Sequence, residues 1–161
     1  MATKDLSAYD PASVPTAQGM RIGIVVAEWN WEITGAMAQG AIDTLIRHGA
    51  NEEDIDVKRV PGSFELTLGG QFLAETGTYD AIILIGCVIQ GETRHFDFIC
   101  QGVTQGAVDL NLKFNIPVIY GVLTTENLQQ AIDRSGGIHG NKGDEAAVTA
   151  IKMISLKREI G

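Results

Sequence analysis

The run Ala81-Ile82-Ile83-Leu84-Ile85-Gly86 constrains this chain more than any other feature. It is apolar without alternation and stops at a glycine. A short run of this kind suits a strand buried on both faces, as in a parallel sheet covered by helices. Arg21-Ile22-Gly23-Ile24-Val25-Val26-Ala27 is a second such run. Pro117-Val118-Ile119-Tyr120-Gly121-Val122 is a third, with proline at its start, where no ladder donor is lost. Ile55 to Val60 alternates in period two and reads as a strand near an edge of the sheet.

Helical stripes separate these strands. Ile33, Met37, Ala41 and Leu45 recur every four residues, and Gly49 follows in the usual C-terminal position. Phe64, Leu68 and Phe72 form a second stripe, closed by Gly77, and Val103, Ala107, Leu110 and Phe114 form a third. Two helices finish the chain. One runs from about Thr125 to Arg134, and the other starts after Gly143 and carries Ala147, Ile151 and Ile154. Strands alternating with helices predict right-handed crossovers and helices on both faces of the sheet. The fold class is therefore α/β, a flavodoxin-like three-layer αβα sandwich with a four-stranded parallel sheet.

A length of 161 residues suits one domain. Residues 1–20 are polar, carry Pro11 and Pro15, and lack the apolar stretch of a secretory signal. They are expected to form a flexible N-terminal arm, with the domain spanning 21–161. The formal net charge of -8 repels phosphate backbones, so nucleic acid is not an expected partner. No apolar run approaches the roughly 18 residues that span a bilayer, so no membrane association is expected. Cys87 and Cys100 form no C-x-x-C pair, and no Cys/His grouping has zinc spacing. Two reduced thiols in a cytoplasmic protein and no metal are expected. The phosphate-binding and dinucleotide glycine motifs and the nucleophile elbow are all missing from the sequence.

In sheets of this kind ligands bind beyond the carboxyl ends of the strands. That rule selects four loops: Glu28 to Trp31, Val60 to Glu65, Cys87 to His95, and Tyr120 to Asn127. In the third, Gly91 lets backbone approach a ligand, and Glu92, Thr93 and Arg94 lead into a helix whose open N–H groups suit an anion. His95 in the first turn can give and take protons at neutral pH. A capping loop with a surface histidine fits the same pattern, and pattern alone leaves the two open. In the first loop, Trp29 or Trp31 can stack on a planar heterocycle. A hydrophobic staple onto the next helix suits Trp31 equally. In the second, Ser63 is a candidate N-cap; Glu65 reads as ordinary first-turn electrostatics, or else the exposed N–H groups of the turn bind the edge of a ligand. His48 and His139 read as structural or solvated. Arg134 and Lys142, taken alone, read as solvated surface cations, with phosphate binding as the alternative for Arg134.

Four segments together resemble the lumazine synthase family. They are Val60-Pro61-Gly62-Ser63-Phe64-Glu65, the run from Gly86 to Asp97 through Gly91-Glu92-Thr93-Arg94-His95, the run from Pro117 to Asn127, and Gly140-Asn141-Lys142-Gly143. Their order and spacing match as well, from about Arg21 to Arg158. The resemblance implies condensation of 5-amino-6-(D-ribitylamino)uracil with 3,4-dihydroxy-2-butanone 4-phosphate. The products are 6,7-dimethyl-8-ribityllumazine, phosphate and water, in the penultimate step of riboflavin biosynthesis, with no cofactor.

The same resemblance implies roles. Trp29 is the aromatic over the pyrimidine, followed by Asn30. Ser63, Phe64 and Glu65 hold the ribityl chain. Cys87, Val88 and Ile89 read the pyrimidine edge. Glu92 and Thr93 bind phosphate, and His95 transfers protons. Tyr120 and Arg134 reach the site from a neighbouring subunit, and Lys142 belongs to the last matching segment. Gln90 stands where many members carry arginine, and Trp29 and Tyr120 stand where phenylalanine is common. A shared site implies an obligate oligomer, and the resemblance implies pentamers. The short turn from Ser135 to Asn141 resembles members that build a sixty-subunit icosahedral shell, with riboflavin synthase as possible cargo. Two rival readings are a non-catalytic flavin- or lumazine-binding relative and a structural shell protein. Intact Thr93, His95 and Arg134 argue against the first.

Overall fold

The computed structural model describes residues 7–161. Its centre is a parallel sheet of β1 (Ile22–Ala27), β2 (Ile55–Val60), β3 (Ala81–Ile89) and β4 (Val118–Thr125), in the order β2-β1-β3-β4. The helices are α1 (Trp31–Arg47), α2 (Leu66–Glu75), α3 (His95–Phe114), α4 (Leu128–Ile132) and α5 (Lys142–Ile160). The expected three-layer sandwich is the architecture found. No helix among the described residues is long and apolar enough to cross a membrane.

Period two along each strand divides the core. Ile22, Ile24 and Val26 of β1 and Ala81, Ile83, Ile85 and Cys87 of β3 point to one face, where Met37, Ala41 and Leu45 of α1 and Ala147, Ile151 and Ile154 of α5 cover them. Val25, Ala27, Ile82 and Leu84 point to the other, against Leu66 and Leu73 of α2 and Val103, Ala107 and Leu110 of α3. Each fully buried aliphatic side chain contributes about 1.5–3 kcal/mol relative to exposure. The unalternating strands thus answer two helical layers.

Four details differ from the sequence reading. The stripe Phe64, Leu68, Phe72 does not face the core: these side chains are 59%, 53% and 60% exposed. The inner face of α2 is Leu66, Gly70, Leu73 and Ala74. The glycine pair explains the choice. A Cβ on Gly69 would stand 2.8 Å from Val25, and one on Gly70 3.0 Å from Leu84, so the helix seats its smallest face on the sheet. Second, β4 continues to Thr125, paired with β3 as far as Ile89, so α4 shrinks to Leu128–Ile132. Third, the turn between α4 and α5 is a small antiparallel hairpin of β5 (Ser135–Gly137) and β6 (Gly140–Asn141).

The fourth concerns the N-terminal segment. Residues 7–20 are docked, which corrects the expectation of a free arm for that stretch. Val14, Ala17 and Met20 are buried in the α1–α5 core. The Ala17 N–H donates to the His48 carbonyl at 2.8 Å, and the Tyr9 hydroxyl meets His48 Nε2 at 2.7 Å. Residues 1–6 of the expected arm lie outside the described residues.

Candidate active site

The loops after β1, β2 and β3 are tied into one surface. The N–H groups of Glu28 and Trp29 donate to the carbonyls of Val60 and Pro61 at 2.8 and 3.0 Å, extending the β1–β2 ladder past both strands. The Trp29 indole then lies on the backbone of Gly62, with Cζ3 2.6 Å from where a Cβ of residue 62 would stand. The ring is 68% exposed, so its other face is open to a planar ligand. Asn30 turns the chain into α1 with φ 60 and ψ 42, in the left-handed region that asparagine tolerates. Its Nδ2 donates to the Cys87 carbonyl at 3.0 Å, fastening the first loop to the end of β3.

Trp31 does a different job. It begins α1, and the Arg59 guanidinium of edge strand β2 stacks over its ring at 4.2 Å.

The second loop corrects one expectation. Gly62, not Ser63, takes the N-cap position of the short turn Ser63–Glu65. The Glu65 carboxylate reaches back to accept from the Gly62 N–H at 3.1 Å. Ser63 is buried, with its hydroxyl packed against Gly86 of β3. Phe64 projects outward and touches the space beside Gly102 of α3. Trp29, Asn30, Ser63, Phe64, Glu65, Cys87, Val88 and Ile89 therefore share one end of the sheet. Cys87 contributes backbone rather than a reactive thiol, since burial pushes its pKa up to about 11. At that value only about one thiol in ten thousand is ionised at neutral pH.

The third loop runs exposed from Gln90 to Arg94, and α3 starts at His95. The Gln90 N–H donates to the Thr125 carbonyl at 2.8 Å, which ties the loop's start to the end of β4. The His95 N–H reaches the Thr93 hydroxyl at 3.4 Å. Glu92, Thr93 and His95 are thus solvent-facing at a helix start, an arrangement suited to an anion with a proton carrier beside it. Among the described residues no group of three or more His, Cys, Asp or Glu is placed to hold a metal ion.

Tyr120, Arg134 and Lys142 are placed differently. Tyr120, placed by the sequence both in the strand Pro117 to Val122 and at the head of the loop Tyr120 to Asn127, lies inside β4, opposite Leu84. It stands five residues before Thr125, about 17 Å back along the strand at ~3.3 Å per residue. It lines an open groove of about 1040 Å³ along the β4 edge, with Thr104 of α3 and Lys142 and Glu145 of α5. Lys142 Nζ is held by Glu145 Oε1 at 2.7 Å, with side-chain exposures of 13% and 18%. Arg134 follows α4 and turns back, Nη1 donating to the Gln130 carbonyl at 2.9 Å. The sequence reading did not single out Arg59, Thr104 or Glu145. Only Glu145 left a local signal, its spacing of three from Lys142. The other two meet their partners across elements.

The family model described as 6,7-dimethyl-8-ribityllumazine synthase matches residues 19–158. Similar curated proteins carry that same name. One from Parabacteroides distasonis is 60% identical over 155 residues, covering 96% of this chain and 97% of its own. One from Porphyromonas gingivalis is 57% identical over 157 residues, 98% of each chain. One from Bacteroides fragilis is 62% identical over 137 residues, 85% of this chain and 96% of its own.

Proposed function

Since the chain belongs to the 6,7-dimethyl-8-ribityllumazine synthase family, transferases of the penultimate step of riboflavin biosynthesis, we propose that it condenses 5-amino-6-(D-ribitylamino)uracil with 3,4-dihydroxy-2-butanone 4-phosphate through the residues gathered at the carboxyl end of its sheet. The observation that carries this assignment is the open Trp29 ring seated on Gly62, fastened to the end of β3 through Asn30 and Cys87. It supports a bed for a flat pyrimidine. Val88 and Ile89 border that bed and read the ring's edge, and Ser63, Phe64 and Glu65 hold the ribityl chain. Glu65 Oε2 accepts from Gly62, and a carboxylate has a second oxygen for a ribityl hydroxyl.

Phosphate binds at Glu92 and Thr93 by the start of α3. The uracil amine attacks the ketone and loses water to give an imine. Phosphate then leaves, the resulting enol tautomerises to a ketone, and the ribitylamine nitrogen adds to that carbonyl with loss of a second water, closing the ring. His95 moves protons in these steps. Both partners are intrinsically reactive, so holding them together supplies much of the acceleration.

The site is completed by Tyr120 and Arg134 of the partner subunit, Arg134 on the phosphate. Three observations support a subunit-bridging site. Tyr120 sits back from its own carboxyl edge, the groove beside it is open, and Phe64, Leu68 and Phe72 leave an apolar face uncovered. Lys142 joins the same boundary. The assembly is a pentamer, and the short β5–β6 hairpin favours association of pentamers into a sixty-subunit shell able to hold riboflavin synthase. The protein works in the cytoplasm, without a cofactor.

One assay tests the chemistry. Purified protein is mixed with both substrates and lumazine absorbance is followed. Product formation is expected, and binding of either substrate without turnover would overturn the catalytic assignment. Light scattering on the same sample tests assembly; a free monomer would sink the shared site.

A further inference from the structure

The Thr104 hydroxyl faces two acceptors. Its Oγ1 lies 2.7 Å from the Cys100 carbonyl, one turn back on α3, and 3.1 Å from the Tyr120 hydroxyl on β4. Threonine has one proton, and Oγ1 is placed to donate it to either the Cys100 carbonyl or the Tyr120 hydroxyl, so the two share it. Burial raises the Tyr120 pKa against a smaller lowering by the Thr104 hydrogen bond, so the phenol stays protonated at neutral pH. The result is a chain from Tyr120 through Thr104 to the α3 backbone. It crosses from the sheet edge to a helix and fixes the ring's direction in the groove. A phenylalanine at the same position could not be held in this way.

We propose that Thr104 is a positioning residue, which sets the Tyr120 ring at the angle it presents to the pyrimidine bound in the partner subunit. This rests on the reading that Tyr120 completes a shared site. Thr104 touches no substrate and acts through the ring alone. Its effect therefore falls on pyrimidine binding and leaves the chemical steps at His95 intact.

A double-mutant cycle tests this. Thr104→Val keeps shape and removes the hydroxyl, Tyr120→Phe removes the phenol, and the double variant removes both. The KM for the ribitylaminouracil is expected to rise about five-fold in Thr104→Val, the scale of one neutral hydrogen bond, with kcat unchanged. Thr104→Ser should restore it. In the Tyr120→Phe background, Thr104→Val should have no further effect. An equal KM rise in both backgrounds, or none in either, overturns the inference. So does loss of the assembled state of Thr104→Val by light scattering, since the bond would then be structural. Tyr120→Leu separates the two layers. If it leaves KM unchanged, the shared-site reading falls as well. If it raises KM while Thr104→Val is silent, only the positioning role falls.

Discussion

The Trp29 indole rests on Gly62 so closely that a Cβ there would overlap ring atoms Cε3 and Cζ3. Gly62 itself is extended, at φ -136 and ψ -179, a conformation any residue adopts. Gly62→Ala therefore carries no backbone strain, and its main effect is displacement of the ring, with the Glu65 carboxylate, 3.2 Å from the new Cβ, giving by a few tenths of an ångström. The expected outcome is a KM for the ribitylaminouracil raised about ten-fold, with the KM for the phosphate substrate and the thermal midpoint little changed. Steady-state kinetics with each substrate varied in turn checks this. An equal rise in both KM values would place Trp29 away from the pyrimidine.

Asn30 contributes twice, through its left-handed backbone and through its bond to the Cys87 carbonyl. Substitution can separate the two. Asn30→Ala loses both, at about 1–2 kcal/mol for the backbone and about 1 kcal/mol for the hydrogen bond. Asn30→Gly loses only the bond, since glycine enters the left-handed region without a Cβ clash. Differential scanning calorimetry should rank thermal midpoints wild type, then Gly, then Ala. Equal midpoints for the two variants would mean the backbone conformation costs nothing here.

The sheet was legible because its strands are apolar without alternation, and only burial on both faces explains that. Residues from Ala81 to Gly86 could occupy only a central strand. The face of α2 was misread because three large side chains outweigh two glycines in any periodicity. Close approach to Val25 and Leu84 decides the matter, and a single helix does not carry that information. The end of β4 was placed early because Leu123, Thr124 and Thr125 fit a strand or a helix start. Their pairing with Cys87, Val88 and Ile89 settles them as strand. The docking of residues 7–20 depends on a groove that exists only once α1 and α5 pack. In the site, the three loops followed from the topological rule, whereas Tyr120–Thr104 required knowing that β4 lies beside α3.

Arg134→Ala is expected to reduce turnover at least as much as His95→Ala. On the proposed mechanism the substrates react without strong acid–base help, so the histidine's loss should cost about a hundred-fold, the low end for proton-transfer residues. Misplacing the phosphate affects both elimination and alignment. The guanidinium carries five N–H donors, and the Gln130 carbonyl accepts from Nη1. Arg134→Lys keeps the charge without the fork and should fall between wild type and Arg134→Ala. Single-turnover kinetics on the three variants decides this, and an unimpaired Arg134→Ala would remove the residue from the phosphate.

The docked N-terminal segment should loosen in mild acid. Tyr9 and His48 Nε2 meet at 2.7 Å, and burial, then the nearby Arg47, lowers the His48 pKa below its ordinary 6.5. The unfolded histidine thus binds protons more readily than the folded one. Stability from this group is fully present above 6.5 and is lost as pH falls through the lower folded value. Hydrogen exchange at residues 7–20 should therefore quicken as pH drops from about 7.5 toward about 5, after correction for intrinsic exchange rates. His48→Gln retains a polar partner for Tyr9 but does not titrate, so its protection should stay flat across that interval. If the variant follows the same slope as the wild type, the carboxylates that protonate in the same direction are responsible and the Tyr9–His48 contact is not.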